Sequence, residues 1–143
     1  CDDNPAGPSN PPLVFSAVLS PANEVPPIGN AESTGVGAVQ VTFNTTAGTA
    51  TFYFQLSGFP GSITVVGAHI HPGAAGVNGP VIINTGLTNL AVPNGTVEFT
   101  SATVTVTPAL VQSIVDNPAA FYFNVHSPLN PGGFARGQLR RVQ

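Results

Sequence analysis

The sequence predicts an antiparallel all-β fold, a Greek-key sandwich or barrel of about eight strands with one short helix. Three observations lead there. Apolar residues alternate with polar ones over runs of four to ten residues, the period of a half-buried strand. Sixteen glycines and 15 prolines in 143 residues fall mostly in short clusters between those runs, where turns belong. Strand patterns do not alternate with long helical ones, so a parallel βαβ sheet is not expected.

The elements follow in order. Leu13 to Leu19 is the first strand, ended by Ser20-Pro21. Val36 to Phe43 places Val39, Val41 and Phe43 on one face and Ala38, Gln40 and Thr42 on the other. After a turn cluster from Asn44 to Gly48, Thr49 to Leu56 places Phe52, Phe54 and Leu56 opposite Thr51, Tyr53 and Gln55. These two strands form a hairpin by spacing. Ile63 to His71 is the next strand and runs into a loop from Pro72 to Gly79. Pro80 to Asn84 makes a short strand, and Gly95 to Val106 alternates through Val97, Phe99, Thr103 and Thr105. Thr107 is positioned to cap a short helix that opens on Pro108, continues through Ala109 to Gln112 and ends before Pro118, since proline fits the first helical position. Phe121 to His126 and Ala135 to Val142 close the set.

Composition narrows the function classes. The chain is 42% hydrophobic and 6% charged, has a net charge of −3, and lacks lysine, methionine and tryptophan. Its three basic residues, Arg136, Arg140 and Arg141, sit together near the C-terminus. Nucleic-acid binding depends on many phosphate contacts, so nucleic acid is excluded as a partner. No apolar run approaches the roughly 20 residues that a membrane helix needs. The single cysteine is Cys1, and a polar, proline-rich segment follows it (DDNPAGPSNPP). This pattern is that of a mature bacterial lipoprotein, with a lipid on Cys1 and residues 1–12 as a tether. Residues 13–143 then form the single domain. The expected location is the cell envelope, periplasmic or extracellular, with membrane contact through the lipid.

All three histidines lie near strand ends. Residues two apart on a strand point the same way, so His69 and His71 share a face, with Cβ atoms roughly 7 Å apart. Ala68 and Ile70 take the opposite, core-facing parity. In Phe121 to His126, the apolar set is Phe121, Phe123 and Val125, so His126 lies with Tyr122 and Asn124 on the outward face. Both histidine strands run into Pro/Gly loops that could roof that face. One alternative is that the histidines are simply solvated side chains. The other is a metal site, and imidazole-only ligation suits copper or zinc over calcium or magnesium. Glu24 and Arg136 are lone charges in apolar or Pro-rich surroundings, where an unpaired buried charge is costly. Either they form a structural ion pair beside the histidines or both are solvated.

A series of motifs carries a resemblance. Ala22 to Pro27 (ANEVPP), Ala68 to His71 (AHIH), Gly76 to Pro80 (GVNGP), Asn124 to His126 (NVH) and Arg136 to Leu139 (RGQL) resemble the CHRD domain family over roughly Leu13 to Leu139. The resemblance implies an extracellular β-sandwich. A more distant similarity is to copper–zinc superoxide dismutase, which implies a dismutase-like barrel. There His69, His71 and His126 would match three copper ligands, and Arg136 would match the arginine that guides the anion to copper. The bridging fourth histidine, the zinc-site residues and the disulfide pair of that enzyme have no counterpart here.

Three functions follow as expectations. One is a copper-binding envelope protein with a mononuclear three-histidine site, zinc being the alternative metal. The second is a copper-only, superoxide dismutase-like enzyme in which Arg136 attracts the anion. The third is a non-enzymatic extracellular binding or adhesion module.

Overall fold

A computed structural model describes residues 10–143. Cys1 and most of the expected tether lie outside the described residues. The strands are β1 (Leu13–Leu19), β2 (Val36–Asn44), β3 (Thr49–Ser57), β4 (Ser62–Val65), β5 (Gly67–Pro72), β6 (Ile83–Asn84), β7 (Leu90–Pro93), β8 (Val97–Thr100), β9 (Val104–Thr105), β10 (Phe121–His126), β11 (Ala135–Gln138) and β12 (Arg140–Arg141), with one α-helix, α1 (Pro108–Asp116), between β9 and β10. All strand pairs are antiparallel. One sheet runs β12-β1-β2-β3-β8, with β9 also on β3; a second runs β11-β10-β5-β6; β4 and β7 make a small third.

The alternation in the sequence becomes the core. Val39, Val41 and Phe43 of β2 and Phe52, Phe54 and Leu56 of β3 are buried, as are Phe123 and Val125 of β10. The two larger sheets meet where Phe52 and Phe54 pack on Phe123, with ring centroids 5.9 and 6.0 Å apart. Such aromatic pairs combine large apolar burial with favourable ring geometry. The helix forms as its cap and proline predict: Thr107 Oγ1 accepts from the Leu110 amide at 3.2 Å, and Val111 and Ile114 are buried against the core.

Three expected strands are divided, each by a local physical cause. Ile63 to His71 breaks at Val66, so β4 pairs with β7 while β5 pairs with β10; the Val66 amide leaves the strand ladder to donate to the His126 carbonyl at 2.9 Å. Gly95 to Val106 breaks around Ser101, whose Oγ accepts from the Phe52 amide at 3.0 Å and so replaces a backbone partner in the ladder. Ala135 to Val142 breaks at buried Leu139: β11 stays on β10, and β12 returns to β1 in the other sheet. The expected strand from Pro80 shortens to β6. Strand β7 lies between two expected strands, in a stretch to which the sequence pattern assigns no element.

Strand β1 ties the two larger sheets together at one edge. Ser20, just past its end, exchanges backbone hydrogen bonds with Arg136 of β11 at 3.0 and 3.2 Å. Close approach is possible because Gly137 lies against the Val18 carbonyl, where any Cβ would collide. This edge holds β11, and with it β10, in fixed register behind the histidine face.

Candidate metal centre

Strands β5 and β10 pair so that His69 stands opposite Asn124, His71 opposite Tyr122, and His126 opposite Gly67. The strict two-residue period thus puts five polar or aromatic side chains on one patch of sheet, facing away from the core. The patch is not open. Loops on either side cover it, leaving His71 6% and His126 8% exposed, with His69 partly exposed. One candidate donor atom from each histidine lies within 4.8 Å of the others. The sequence expectation of an outward cluster under loops is therefore met for His69, His71 and His126.

The covering loops also set the tautomers. His71 Nδ1 donates to the Gly79 carbonyl at 2.9 Å, and His126 Nδ1 donates to the Pro131 carbonyl at 2.9 Å. A carbonyl only accepts, so each Nδ1 carries the proton and each Nε2 keeps its lone pair. The His126 lone pair accepts from His69 Nδ1 at 2.9 Å. His71 Nε2 is buried and has no hydrogen-bond partner. Gly79 must be glycine for this: a Cβ there would run into the Pro72 carbonyl.

Electrostatics keep the cluster neutral. Burial, then the neighbouring His126 and His71, push the His69 ring down to about 4. Burial also lowers His71, with the Gly79 carbonyl first and then Asn124 and Pro80 opposing. His126 is lowered by burial as well, with the Pro131 carbonyl opposing. At neutral pH all three rings are therefore uncharged imidazoles, the form that binds metal. The three histidines themselves offer only nitrogen donors.

Behind the histidines lies a stack. Tyr122 lies parallel to His71, with centroids 4.8 Å apart and planes at 6°, and Arg136 Cζ sits 3.4 Å from the centroid of the Tyr122 ring. Arg136 is 1% exposed. Its guanidinium donates to Asn78 Oδ1 at 3.0 Å and to the carbonyls of Ala74 and Val77 at 3.0 and 2.6 Å. Arg136 thus holds the 74–78 loop and Tyr122 in place, one layer away from the histidines. Glu24 is also buried and accepts from Asn124 Nδ2 at 3.5 Å. Burial raises its carboxyl to about 7, against the hydrogen bond from Asn124 and the attraction of Arg136. The two lone charges of the sequence therefore feel each other through space, while each makes its hydrogen bonds elsewhere.

Sequence parity had placed Tyr122 and Asn124 on the histidine face without assigning them a role. The Gly79 and Pro131 carbonyls, which orient two of the three rings, are backbone groups supplied by loops and leave no side-chain signal.

A family model described as the CHRD domain matches residues 15–139. No curated protein sequence matches the chain.

Proposed function

The chain belongs to the CHRD domain family, and on that footing we propose that it is a copper-binding protein whose ion is held by His69, His71 and His126. One observation carries the reading: His71 Nε2 is a buried lone pair with no donor, fixed by the Gly79 carbonyl to point its bare nitrogen into a cluster of imidazoles. Leaving such an atom unsatisfied costs about 1–3 kcal/mol, and a cation removes that cost. The residues fit the ion. His71 and His126 offer Nε2, and their other nitrogens are held by carbonyls, the outer-sphere arrangement that orients metal-ligating histidines. His69 offers Nδ1 once its proton moves to Nε2. Copper is favoured over zinc because divalent copper stands highest in affinity for such nitrogen sites. Bound copper would supply one-electron redox capacity at a position partly open beside His69.

Arg136 bears on the choice between carrier and enzyme. Its buried guanidinium is committed to Asn78 and to the carbonyls of Ala74 and Val77, so the anion-guiding role is disfavoured and metal binding is favoured over dismutation. Metal analysis and electron paramagnetic resonance of Cu(II)-loaded protein test the reading, with zinc as competitor. One copper per chain is expected, lost in His126→Ala, with dismutase activity no higher than that of free copper. Absence of stoichiometric copper, or an unchanged spectrum in His126→Ala, would overturn it.

A further inference from the structure

A second buried atom beside the histidines lacks a partner. Asn124 Oδ1 makes no hydrogen bond, while Nδ2 of the same amide donates to the Gly132 carbonyl at 3.2 Å and to Glu24 Oε2 at 3.5 Å. Both partners of Nδ2 are acceptors, which fixes the amide orientation and rules out a flipped assignment. Asn124 stands directly across the ladder from His69 and two residues from His126. Asn124 shares the histidine face and acts on the His71 ring. His71 Nε2 carries no proton to give it, because the ring holds its proton on Nδ1 for Gly79. Two buried lone pairs of the same cluster, His71 Nε2 and Asn124 Oδ1, are therefore left without a donor. Of the buried side-chain atoms described, only these and Ser16 Oγ lack a partner. A buried acceptor without a donor is costly, and one cation held on this face would satisfy both.

Resting on the three-histidine reading above, we infer that Asn124 Oδ1 is a fourth donor, making the centre a three-nitrogen, one-oxygen site. Glu24 and Gly132 hold the amide so that its oxygen is presented. A neutral amide oxygen is a hard donor, and this selects a divalent ion, Cu(II) or Zn(II), over soft Cu(I).

The test uses the intact protein, with Cu(II) affinity measured by competition and the spectrum recorded by electron paramagnetic resonance. Asn124→Ala is expected to bind Cu(II) about 10- to 100-fold more weakly with an altered spectrum, while Cu(I) affinity changes less than Cu(II) affinity. Asn124→Asp keeps an oxygen in place, and is expected to retain one copper with a spectrum shifted by the carboxylate; it also serves if the alanine variant does not fold. Wild-type affinity and spectrum in either folded variant would overturn the fourth donor while leaving the histidine site standing. Failure of the wild-type protein itself to bind copper would instead remove the three-histidine reading, and this inference with it.

Discussion

Arg136 shows how much a single side chain can organise in a protein with few charges. Its planar fork meets three acceptors on the 74–78 segment while its face covers Tyr122, a combination that lysine cannot reproduce with its compact ammonium. Arg136→Lys should therefore cost about 2–4 kcal/mol, because buried carbonyls lose their donor, and urea unfolding would show it. The effect should also reach the histidines, because Tyr122 is the surface on which His71 rests. On the proposed copper reading, stoichiometry should stay at one per chain while affinity falls severalfold. A variant as stable as the wild type would show that the guanidinium does not hold the loop. The identity of the three histidines was legible from parity because strand period is a local property. The role of Arg136 was not, since its acceptors lie about sixty residues away in sequence and are mostly backbone.

At the scale of elements, β1, β2, β3, β10 and α1 were legible nearly to the residue, since each has a clean period or a cap of its own. The breaks at Val66, Ser101 and Leu139 were not. The apolar parity slips at the first two, from Ile63 and Val65 to Ala68 and Ile70 and from Val97 and Phe99 to Val104 and Val106, but a slip in parity does not say which sheet each piece joins. The edge between β1 and β11 is one such tertiary decision, and it makes a sharp prediction. Alanine at Gly137 would drive its Cβ into the backbone carbonyl of Val18 and against the Ala17 methyl, both on β1. Gly137→Ala should thus destabilise the protein by about 1–3 kcal/mol or more, measured as a lowered unfolding midpoint. Gly132 is the control: its Cβ would meet open space, and its backbone angle is not in the left-handed region. Gly132→Ala should stay within about 0.5 kcal/mol of the wild type. Equal effects in the two variants would mean that the β1–β11 approach is not a constraint.

For the whole molecule, pH sets two opposing terms. The folded state holds His69 near 4 and lowers His71 and His126, against an ordinary value of 6.5. Below 6.5 the unfolded chain takes up protons that the folded chain refuses, so stability falls as pH drops from 6.5 towards 4. Glu24 acts the other way. Its carboxyl is raised from 4.5 to about 7, so the folded state binds the extra proton between those values. Its contribution is fully present below 4.5 and is lost as pH rises through 7. Three histidines act against one glutamate, and the metal-free protein should lose stability on acidification from pH 6.5 to 4. Glu24→Gln separates the terms by supplying a side chain that stays neutral. It should be more stable than the wild type above pH 7, by about 2–3 kcal/mol from the size of the Glu24 shift, and indistinguishable from it below pH 4.5. Its acid loss should accordingly be steeper. The proposed copper would add a third term, since an ion that binds only the folded state stabilises by about 2.7 kcal/mol at a hundred times its Kd. On the proposed three-histidine reading, protons and copper compete for the same imidazole lone pairs, so the copper-induced rise in Tm should be full at pH 7 and vanish towards pH 4. Thermal unfolding of both proteins across that range, with and without Cu(II), reads all three terms. A copper-induced rise that persists unchanged at pH 4 would show that the ion is held somewhere other than on His69, His71 and His126.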